Sequence, residues 1–361
     1  MYEIKLTADE KTKQDFISLP GKLYTKKQSV QNKDEENKLL CGTHVLSKYF
    51  IFQGFVCYKE GSICARLAVT LYPDESVAYF GFFESVNDKS AAKALMDEAE
   101  RYAKQHGRTK LTGPVDASFW IKYRLKVNRF EKRTYVSEPC NKDYYINLYD
   151  FCGFVTEAEY ISNIYEKLPL FNYEIEKYSN RYKEFTEKGY EIISPKRKDW
   201  EKVISEVYKL IIDLYSDFPV FSYISEDDFK ELFKSYKFIL DFSMVKMAYY
   251  NKEAVGFFIG MPDYKNRLYG KISFLTLIYV FLKRIRSKNY VMLYLGVDNN
   301  HHGLGKAITG AIMDNLHKKQ ATSIGAFIKR GKITERYVEE KVHGVYEYLL
   351  LNKDLSGEID G

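Results

Sequence analysis

Residues 290–316 read YVMLYLGVDNNHHGLGKAITGAIMDNL. The apolar run Tyr290–Val297 predicts a strand, and the apolar positions spaced at helical intervals after residue 306 predict a helix that docks on a sheet. Gly303 and Gly305 stand between these two elements. A strand, a glycine-containing loop and a helix start aim several backbone N–H groups at one point, and glycine lacks the Cβ that would block close approach. The segment therefore predicts a binding site for a phosphate or pyrophosphate.

Two commoner nucleotide-binding motifs do not fit this loop. The dinucleotide motif would need Gly or Ala at the position of Ile308. The Walker loop would need Gly in place of Asn300 and Ser or Thr in place of Ala307. The remaining pattern is a strand followed by Gly-x-Gly and a helix.

The same order of elements occurs twice along the chain. In the second half, a strand at 190–194, two helices and a hairpin over 244–262 precede the glycine loop, and strands at 323–328 and 344–351 follow its helix. The first half shows a hairpin over 50–72, a strand at 76–83, a helix at 90–106 and a strand at 110–115. This order predicts an α/β fold with mixed sheets, built from two diverged copies of one unit.

A helix-like, charged stretch at 171–188 follows the aromatic and irregular segment 143–165. We place the domain boundary at its end. The sequence then divides into an N-terminal domain, 1–188, that includes the connecting helix, and a C-terminal domain, 189–361.

The run LGVDNNHHGLGKAITGAIM, 295–313, resembles the acyl-CoA-binding segment of the GNAT (Gcn5-related N-acetyltransferase) superfamily. That family has Gln or Arg, two residues, Gly, one residue, and Gly or Ala; here Asn300 stands in the Gln/Arg position. The resemblance implies acetyl-CoA or another acyl-CoA, with the backbone of the splayed strand pairing with pantetheine. The implied contact residues are Leu295, Gly296, Val297, Asn300, His301, His302, Gly303, Leu304, Gly305, Lys306 and Ala307.

The resemblance extends to a YghO-like branch of that superfamily, which has a degenerate first GNAT-like half. The pairs Gly113-Pro114, Tyr144-Tyr145 and Gly153-Phe154 occur here in the order found in that branch. The resemblance thus implies two GNAT-like domains in tandem. It also implies an N-acyltransferase that transfers an acyl group to an amine by direct attack.

The first half has no counterpart of the glycine loop. Its segment Phe83–Ser90 contains no glycine and carries Glu84 and Asp88 close to the predicted helix start. Carboxylates there would repel an anion, and Asp88 or Ser90 is suited to cap the helix. We expect this half to be structural or to shape the acceptor cleft.

Acyl transfer to an amine needs a base for the amine and benefits from an acid for the leaving thiolate. The superfamily often uses a Tyr on the helix after its fifth strand as the acid, and Tyr337 lies in that region, where a packing role is the alternative. Asp298, His301 and His302 are the candidate bases, although a histidine in this loop could instead bind phosphate or face solvent.

The acceptor side is predicted at YSDFPVFSYISEDD, 215–228, because this connection covers the acceptor in the superfamily. Asp217, Phe218, Phe221 and Tyr223 would form an aromatic, mildly acidic wall suited to an amine. An ordinary Pro-broken turn is the alternative. No feature distinguishes a small-molecule amine from a peptide amine.

The composition limits the other partners. The net charge of +6 is small for 361 residues and does not indicate nucleic acid. Five cysteines without a CxxC pair, and no HExxH motif, support neither a disulfide framework nor a metal site. Cys57 and Cys64 are expected to be buried free thiols. These features, with the absence of an apolar signal region at the N-terminus, predict a cytoplasmic protein.

The apolar segment ISFLTLIYVFL, 272–282, is followed by a basic cluster at 283–288. Eleven residues are too few to span a bilayer, which takes about 20 helical residues. The sequence favours a buried helix over interfacial membrane contact.

Two other functions remain open at this point. Asn300 stands where the family has Gln or Arg, and Tyr337 lies about one turn before the family's usual tyrosine position, which Glu340 occupies. Both departures are compatible with a non-catalytic acyl-CoA-binding or scaffold protein. Fem-type aminoacyl transferases also pair two GNAT-like halves, but they use aminoacyl-tRNA and would not need the glycine loop.

Overall fold

The computed structural model describes residues 1–270 and 273–357. The described chain forms the following strands: β1 Tyr2–Leu6, β2 Ile51–Lys59, β3 Ser62–Leu71, β4 Val77–Ser85, β5 Lys110–Gly113, β6 Val115–Asp116, β7 Lys122–Tyr123, β8 Leu125–Lys126, β9 Val155–Tyr165, β10 Glu191–Ile193, β11 Val245–Tyr250, β12 Glu253–Pro262, β13 Asn289–Val297, β14 Thr322–Lys329 and β15 Val342–Asp354. Its α-helices are α1 Glu10–Leu23, α2 Lys33–Leu40, α3 Lys89–Gln105, α4 Tyr145–Phe151, α5 Glu176–Glu187, α6 Trp200–Tyr215, α7 Glu226–Phe233, α8 Tyr236–Ile239, α9 Phe274–Arg286 and α10 Leu304–Lys319.

The chain divides into two compact units. The first contains Met1–Tyr160 with 265–270 and 347–357, and the second contains Ile161–Tyr264 and 273–346. These bounds differ from the predicted boundary at residue 188, because α5 packs within the second unit. There the backbone of Tyr178 approaches Gly310 of α10 so closely that a Cβ on Gly310 would lie 3.0 Å from the Tyr178 carbonyl oxygen.

The first unit has a mixed sheet in the order β1-β2-β3-β4-β5-β15. All its described pairings are antiparallel except that of β4 with β5, the two strands that flank α3 in the chain. The apolar face of α3 covers the sheet through fully buried side chains such as Leu95 and Met96. Cys57 and Cys64 are buried in the same core as free thiols, with their Sγ atoms 3.6 Å apart.

Ordered structure begins earlier than the sequence indicates, at β1 rather than near Tyr49. β1 is an edge strand whose alternating charged residues face solvent, so its composition does not resemble that of a buried strand. α1 begins with a capping box in which the Asp9 carboxylate accepts the Thr12 N–H, and it buries Phe16 completely.

The second unit repeats this plan with the strand order β14-β13-β12-β11-β10. The pairings are again antiparallel except that of β13 with β14, the strands that flank α10. Each unit has an irregularity in the strand before its helix. In β4 the extra residue lies between Gly81 and Glu84, whose partners on β3 are Ala68 and Arg66. In β13 it lies between Met292 and Tyr294, whose partners on β12 are Gly260 and Ile259. The mixed α/β fold expected from the sequence is therefore present.

Three further regions differ from the sequence expectation. The segment 143–165, expected to be irregular, forms α4 and β9. The region of Tyr337 is not an α-helix but two short 3-10 turns, Ile333–Arg336 and Glu339–Lys341. Two tyrosine side chains hydrogen-bond backbone groups that would be paired within a helix. The Tyr178 hydroxyl accepts the Val338 N–H, and the Tyr165 hydroxyl donates to the Tyr337 carbonyl.

The third difference is the apolar segment at 272–282. Ile272 lies outside the described residues, and the rest forms most of α9. The prediction that this helix is buried is wrong, because only Val280 is buried in α9 while Phe274 is 76% and Phe281 53% exposed. The sequence shows that the helix is apolar but not which of its faces meets the protein. Among the described residues, no helix combines the length and apolar character needed to cross a bilayer.

Candidate functional site

The candidate site begins where β13 separates from β14. The parallel pairing runs from Asn289↔Thr322 to Met292↔Gly325, although both strands continue further. The Asp298 N–H donates to the Val255 carbonyl of the facing chain at 2.9 Å. In an antiparallel pair, successive residues point their N–H and C=O groups alternately toward and away from the partner strand. The N–H and C=O groups of Leu295 and Val297 therefore point away from β12. The opening of the sheet thus presents backbone donors and acceptors along the last residues of β13.

Glycines allow this end of β13 to pack closely. A Cβ on Gly296 would lie 2.5 Å from Cε1 of Phe257 and 2.9 Å from Cδ1 of Leu214 on α6. A Cβ on Gly256, opposite Val297, would lie 3.1 Å from Cδ1 of Ile308 on α10. The absence of side chains at Gly296 and Gly256 therefore allows α6 and α10 to pack closely on the sheet where β13 separates from β14.

The loop after β13 stabilises itself through Asp298. The Asp298 carboxylate accepts the Asn300 N–H at 2.8 Å, and its carbonyl accepts the His301 N–H at 2.9 Å. Asn300 and His302 are exposed, whereas His301 is half-buried. The loop is consequently an ordered turn that leads directly into α10.

The N-terminus of α10 has no side-chain cap. Its N-cap residue is Gly303, with φ +92°, a conformation that other residues adopt only with strain. The N–H groups of a first helical turn lack the partners four residues back that the helix interior has, and they carry the positive end of the helix dipole. In α10 the Leu304 and Lys306 N–H groups donate to the His301 and Gly303 carbonyls, each at 3.1 Å. Neither an acidic side chain nor a capping side chain occupies this first turn. The start of α10 therefore offers donors and partial positive charge to an anion.

Two cations flank this helix start. Lys306 is part of the first turn and half-buried. Arg181, on α5, lies beside the glycine: its Nε is 3.5 Å from the position of a Cβ on Gly303, and it also pairs with Glu184 at 2.7 Å. Together they add positive charge where the backbone donors converge.

Tyr337 lies over the same turn. A Cβ on Gly305 would stand 2.8 Å from the Tyr337 hydroxyl. Burial raises the pKa of Tyr337 above its ordinary value of 10, and the nearby Tyr178 hydroxyl adds to the increase. The phenol is therefore protonated throughout the physiological range and can donate a hydrogen bond or a proton at the start of α10.

His301 is engaged on the other side of the loop. Its Nδ1 is 2.7 Å from the Tyr190 hydroxyl, and its ring meets those of Tyr190 and Tyr250 edge-on. Tyr190 and Tyr250 stack on each other with ring centroids 4.4 Å apart. This aromatic pair fixes the position of the histidine, and through it the loop.

The predicted acceptor segment reaches the site through its first aromatic residues. The Tyr215 hydroxyl donates to the Leu295 carbonyl at 3.2 Å, and Phe218 stacks on Tyr215 with centroids 4.8 Å apart. Lys332 lies 5.8 Å above the Phe218 ring. Phe218 and Phe221 are half-buried, whereas Asp217 and Tyr223 are exposed; Tyr223 hydrogen-bonds the Tyr208 hydroxyl at 3.3 Å. Phe218 is thus next to the opening of the sheet, and Tyr223 belongs to the connection between α6 and α7.

The sequence does not identify Arg181 or Tyr190 as site residues, and it places Tyr215 only within the acceptor segment 215–228. Arg181 is one of several charged residues on an amphipathic helix, and nothing in its spacing distinguishes it from the others. Tyr190 and Tyr215 belong to an unusually large set of 32 tyrosines. Their contacts depend on which elements pack together, so no local motif marks them.

The first unit has the opposite arrangement at the equivalent place. The N-cap of α3 is Asp88, whose carboxylate accepts the N–H groups of Ser90 and Ala91, as the sequence predicts. The segment after β5 packs directly against the end of β4. A Cβ on Gly81 would lie 1.9 Å from the Val115 carbonyl oxygen, and the Asp116 carboxylate accepts the Phe82 N–H. The helix start is thus already neutralised by an anion of the protein.

The chain was compared with known proteins. No family model matches it. Over 117 residues, 31% of this chain, it is 25% identical to protein YghO of Escherichia coli K12, and the match spans 30% of that protein's length. The curated relative is therefore matched over less than a third of its length.

Solved structures match along nearly the whole chain. A tandem GNAT protein from the clavulanic acid biosynthesis pathway matches with a TM-score of 0.53 at 11% identity, covering 99% of this chain and all of that one. A probable N-acyltransferase from Enterococcus faecalis V583 matches with a TM-score of 0.50 at 11% identity, covering 99% of this chain and 73% of its own. A GCN5-related N-acetyltransferase from Kribbella flavida has a TM-score of 0.50 at 8% identity, with coverages of 98% and 72%. The chain therefore has the mixed α/β fold of the GNAT acetyltransferases, matched from end to end by a tandem GNAT protein.

Proposed function

We propose that this protein is an acyl-CoA-dependent N-acyltransferase whose second unit binds the acyl donor. The observation that carries the proposal is the uncapped, glycine-initiated α10 immediately after a strand that separates from its neighbour. A long donor with a polyanionic end needs both features: backbone groups along its arm and a cluster of N–H donors at its phosphates.

The residues of the site fit acetyl-CoA or another acyl-CoA. The outward-facing backbone of Leu295 and Val297 would pair with the pantetheine arm, and the backbone at the start of α10, from Gly303 to Gly305, would bind the pyrophosphate. Arg181 and Lys306 would complement its charge. When bound, the donor supplies an activated thioester; the protein's own residues hold and orient it.

The proposed acid is Tyr337. Its raised pKa keeps the hydroxyl protonated at neutral pH, and its position over Gly305 places that proton at the start of α10. Asp298 and His301 remain the candidate bases for the amine. Asp298 also stabilises the loop through the Asn300 N–H, and His301 through the Tyr190 hydroxyl. A substitution of either residue could therefore reduce activity by misplacing the loop, and the pH profile of the variant distinguishes this from a loss of proton transfer.

The proposed acceptor is a small-molecule or peptide amine that approaches along Asp217, Phe218, Phe221 and Tyr223. The stacked pair of Tyr215 and Phe218 next to Leu295 supports this side, because an amine must reach the thioester near the opening of the sheet. Phe218 offers an apolar face for the carbon skeleton, and the exposed carboxylate of Asp217 offers charge for an ammonium group.

We propose that the first unit does not bind the acyl donor. Its helix start is capped by Asp88, and Val115 lies against Gly81, so neither the donors nor the space is present there. We also propose the cytoplasmic location expected from the sequence.

Calorimetric titration of acetyl-CoA against the full chain tests this proposal. Gly305→Glu places a carboxylate at the helix start and should abolish binding, whereas Gly21→Glu, where a Cβ meets nothing within 4 Å, should leave it unchanged. Binding to wild type that Gly305→Glu does not reduce, or no binding to wild type, would contradict the donor site.

Turnover distinguishes the enzyme from a non-catalytic acyl-CoA-binding protein. Release of free CoA thiol is measured with a panel of amines and small peptides. Tight binding of acetyl-CoA without thiol release from any amine would favour the binding protein. The uncapped glycine loop argues against a Fem-type aminoacyl transferase, whose substrate does not need it.

A further inference from the structure

The helix α9 presents its apolar face to solvent. Phe274, Ile278, Phe281 and Ile285 are spaced by four, three and four residues, so they lie on one face of the helix, and all four are exposed. Leu275, Leu277 and Leu282 flank them and are also exposed. Surface helices normally direct such a stripe into the core. Here the stripe faces outward along a 13-residue helix, about 20 Å long.

The opposite face of α9 packs against the rest of the second unit. Val280 is buried, and the more polar Thr276, Tyr279, Lys283 and Arg284 around it are half-buried. The Arg284 guanidinium donates to the Phe238 carbonyl at 2.9 Å and lies 5.4 Å from the Phe281 ring. Ser273 caps the helix by accepting the Thr276 N–H. The polar face is thus used for attachment, which leaves the apolar face available.

The charge around α9 is of one sign. Lys283, Arg284, Arg286 and Lys288 lie in its last turn and just beyond, and no acidic residue occurs from 274 to 288. The side chain of Phe238, which is 56% exposed, adds to the apolar surface, and Arg197 lies 4.6 Å from its ring. Apolar area and positive charge therefore coincide on this surface.

We propose that α9 binds the surface of a membrane rich in anionic lipids. Its apolar face would enter the boundary between headgroups and acyl chains, and the exposed Arg286 and Lys288 at and just beyond its C-terminal end would contact lipid phosphates. A second copy of the chain fits less well, because α9 and the residues just after it offer no acidic partner for the exposed Arg286 and Lys288 beside the apolar face. The inference rests on α9 alone and is independent of the proposed acyl transfer.

Flotation of the full chain with vesicles tests this proposal. Vesicles of phosphatidylglycerol and phosphatidylcholine in equal parts should carry the protein, and pure phosphatidylcholine vesicles should carry at least about fivefold less. Phe274→Gln with Phe281→Gln should reduce binding by about tenfold or more, and Arg286→Gln by several-fold. The matched control is Phe171→Gln, which removes a ring that is 82% exposed elsewhere, and it should bind as wild type does.

A spectroscopic variant covers the case in which the double substitution disturbs folding. Phe281→Trp should show a blue-shifted emission on phosphatidylglycerol vesicles, above the constant signal of the buried Trp120 and Trp200. Equal binding to both vesicle types, or binding that the double substitution does not reduce, would overturn the proposal. So would a concentration-dependent dimer that the double substitution abolishes, in a protein that binds no vesicles.

Discussion

The Tyr337 hydroxyl stands over Gly305, only 2.8 Å from where a Cβ on that glycine would lie. The two residues are 32 positions apart in the sequence and belong to elements that the fold brings together. The missing Cβ thus leaves room for the phenol that we propose as the acid, directly beside the helix start that we propose as the anion site.

The first prediction concerns the space between these two residues. Gly305→Ala should destabilise the protein by up to about 2 kcal/mol, because the new methyl group displaces the Tyr337 hydroxyl, although alanine itself favours the helix by up to about 1 kcal/mol. In the Tyr337→Phe background the overlap is removed, since the remaining ring atoms are 3.6 Å away. Urea unfolding of the four proteins in this cycle should give a coupling energy of about 0.5–2 kcal/mol. Additive effects would show that the hydroxyl does not occupy this space.

The second prediction concerns Tyr337 as an acid. Tyr337→Phe should lower kcat about 10- to 100-fold with little change in KM. Because burial raises the pKa of Tyr337 above 10, the phenol stays protonated at neutral and mildly alkaline pH, so the ratio of wild-type to variant kcat should stay constant from pH 7 to 9 and fall only at higher pH, as the phenol ionises. The control is Tyr182→Phe on α5, which should keep wild-type kcat. A ratio that already falls between pH 7 and 9 would assign the limiting proton to another group.

A third prediction concerns Arg181. Arg181→Gln should weaken acetyl-CoA binding by about 3- to 30-fold, because the guanidinium lies beside the glycine loop and would contact phosphate. The loss should shrink in high salt, which screens the charge. Lys183→Gln, an exposed cation two residues away on α5, is the matched control. If both variants lose the same affinity, the effect reflects overall charge rather than a contact at the loop.

The fourth prediction concerns a carboxylate in the first unit. Burial raises the pKa of Glu84 from 4.5 to about 7, although the nearby Arg66 guanidinium opposes the increase; the Tyr145 hydroxyl donates to its carboxylate at 2.6 Å. Between pH 4.5 and 7 the folded protein therefore binds more protons than the unfolded chain, so this residue's contribution to stability falls as the pH rises. The fall amounts to as much as about 3 kcal/mol across that window.

The measurement compares unfolding midpoints of wild type and Glu84→Gln from pH 4.5 to 7.5. The advantage of wild type over the variant should decline with rising pH and level off above about pH 7. Glu60→Gln, in the exposed turn between β2 and β3, should show no such trend. A wild-type advantage that grows with pH would mean that the Glu84 carboxylate is stabilised as an anion.

Much of the fold could be predicted from local patterns. The two hairpins, α3, α10 and the strands beside them have regular apolar periodicity, and Asp88 caps α3 as its sequence indicates. The edge strand β1 could not be predicted, because its outward face is charged and its pairing with β2 is non-local. The turns around Tyr337 were also missed, since hydrogen bonds from Tyr165 and Tyr178 override local helical preference there.

The glycine loop was visible in the sequence because a helix start that binds an anion needs particular residues at consecutive positions. Strand, glycines and helix are local, and so are the missing glycines and the carboxylates of Phe83–Ser90 in the first half. The sequence by itself thus determined the repeated α/β order and which half carries the loop. Only the tertiary structure decided that Arg181 and Tyr337 flank it and that the apolar face of α9 points outward. These depend on which elements pack together, a property of contacts between distant residues that no local spacing records.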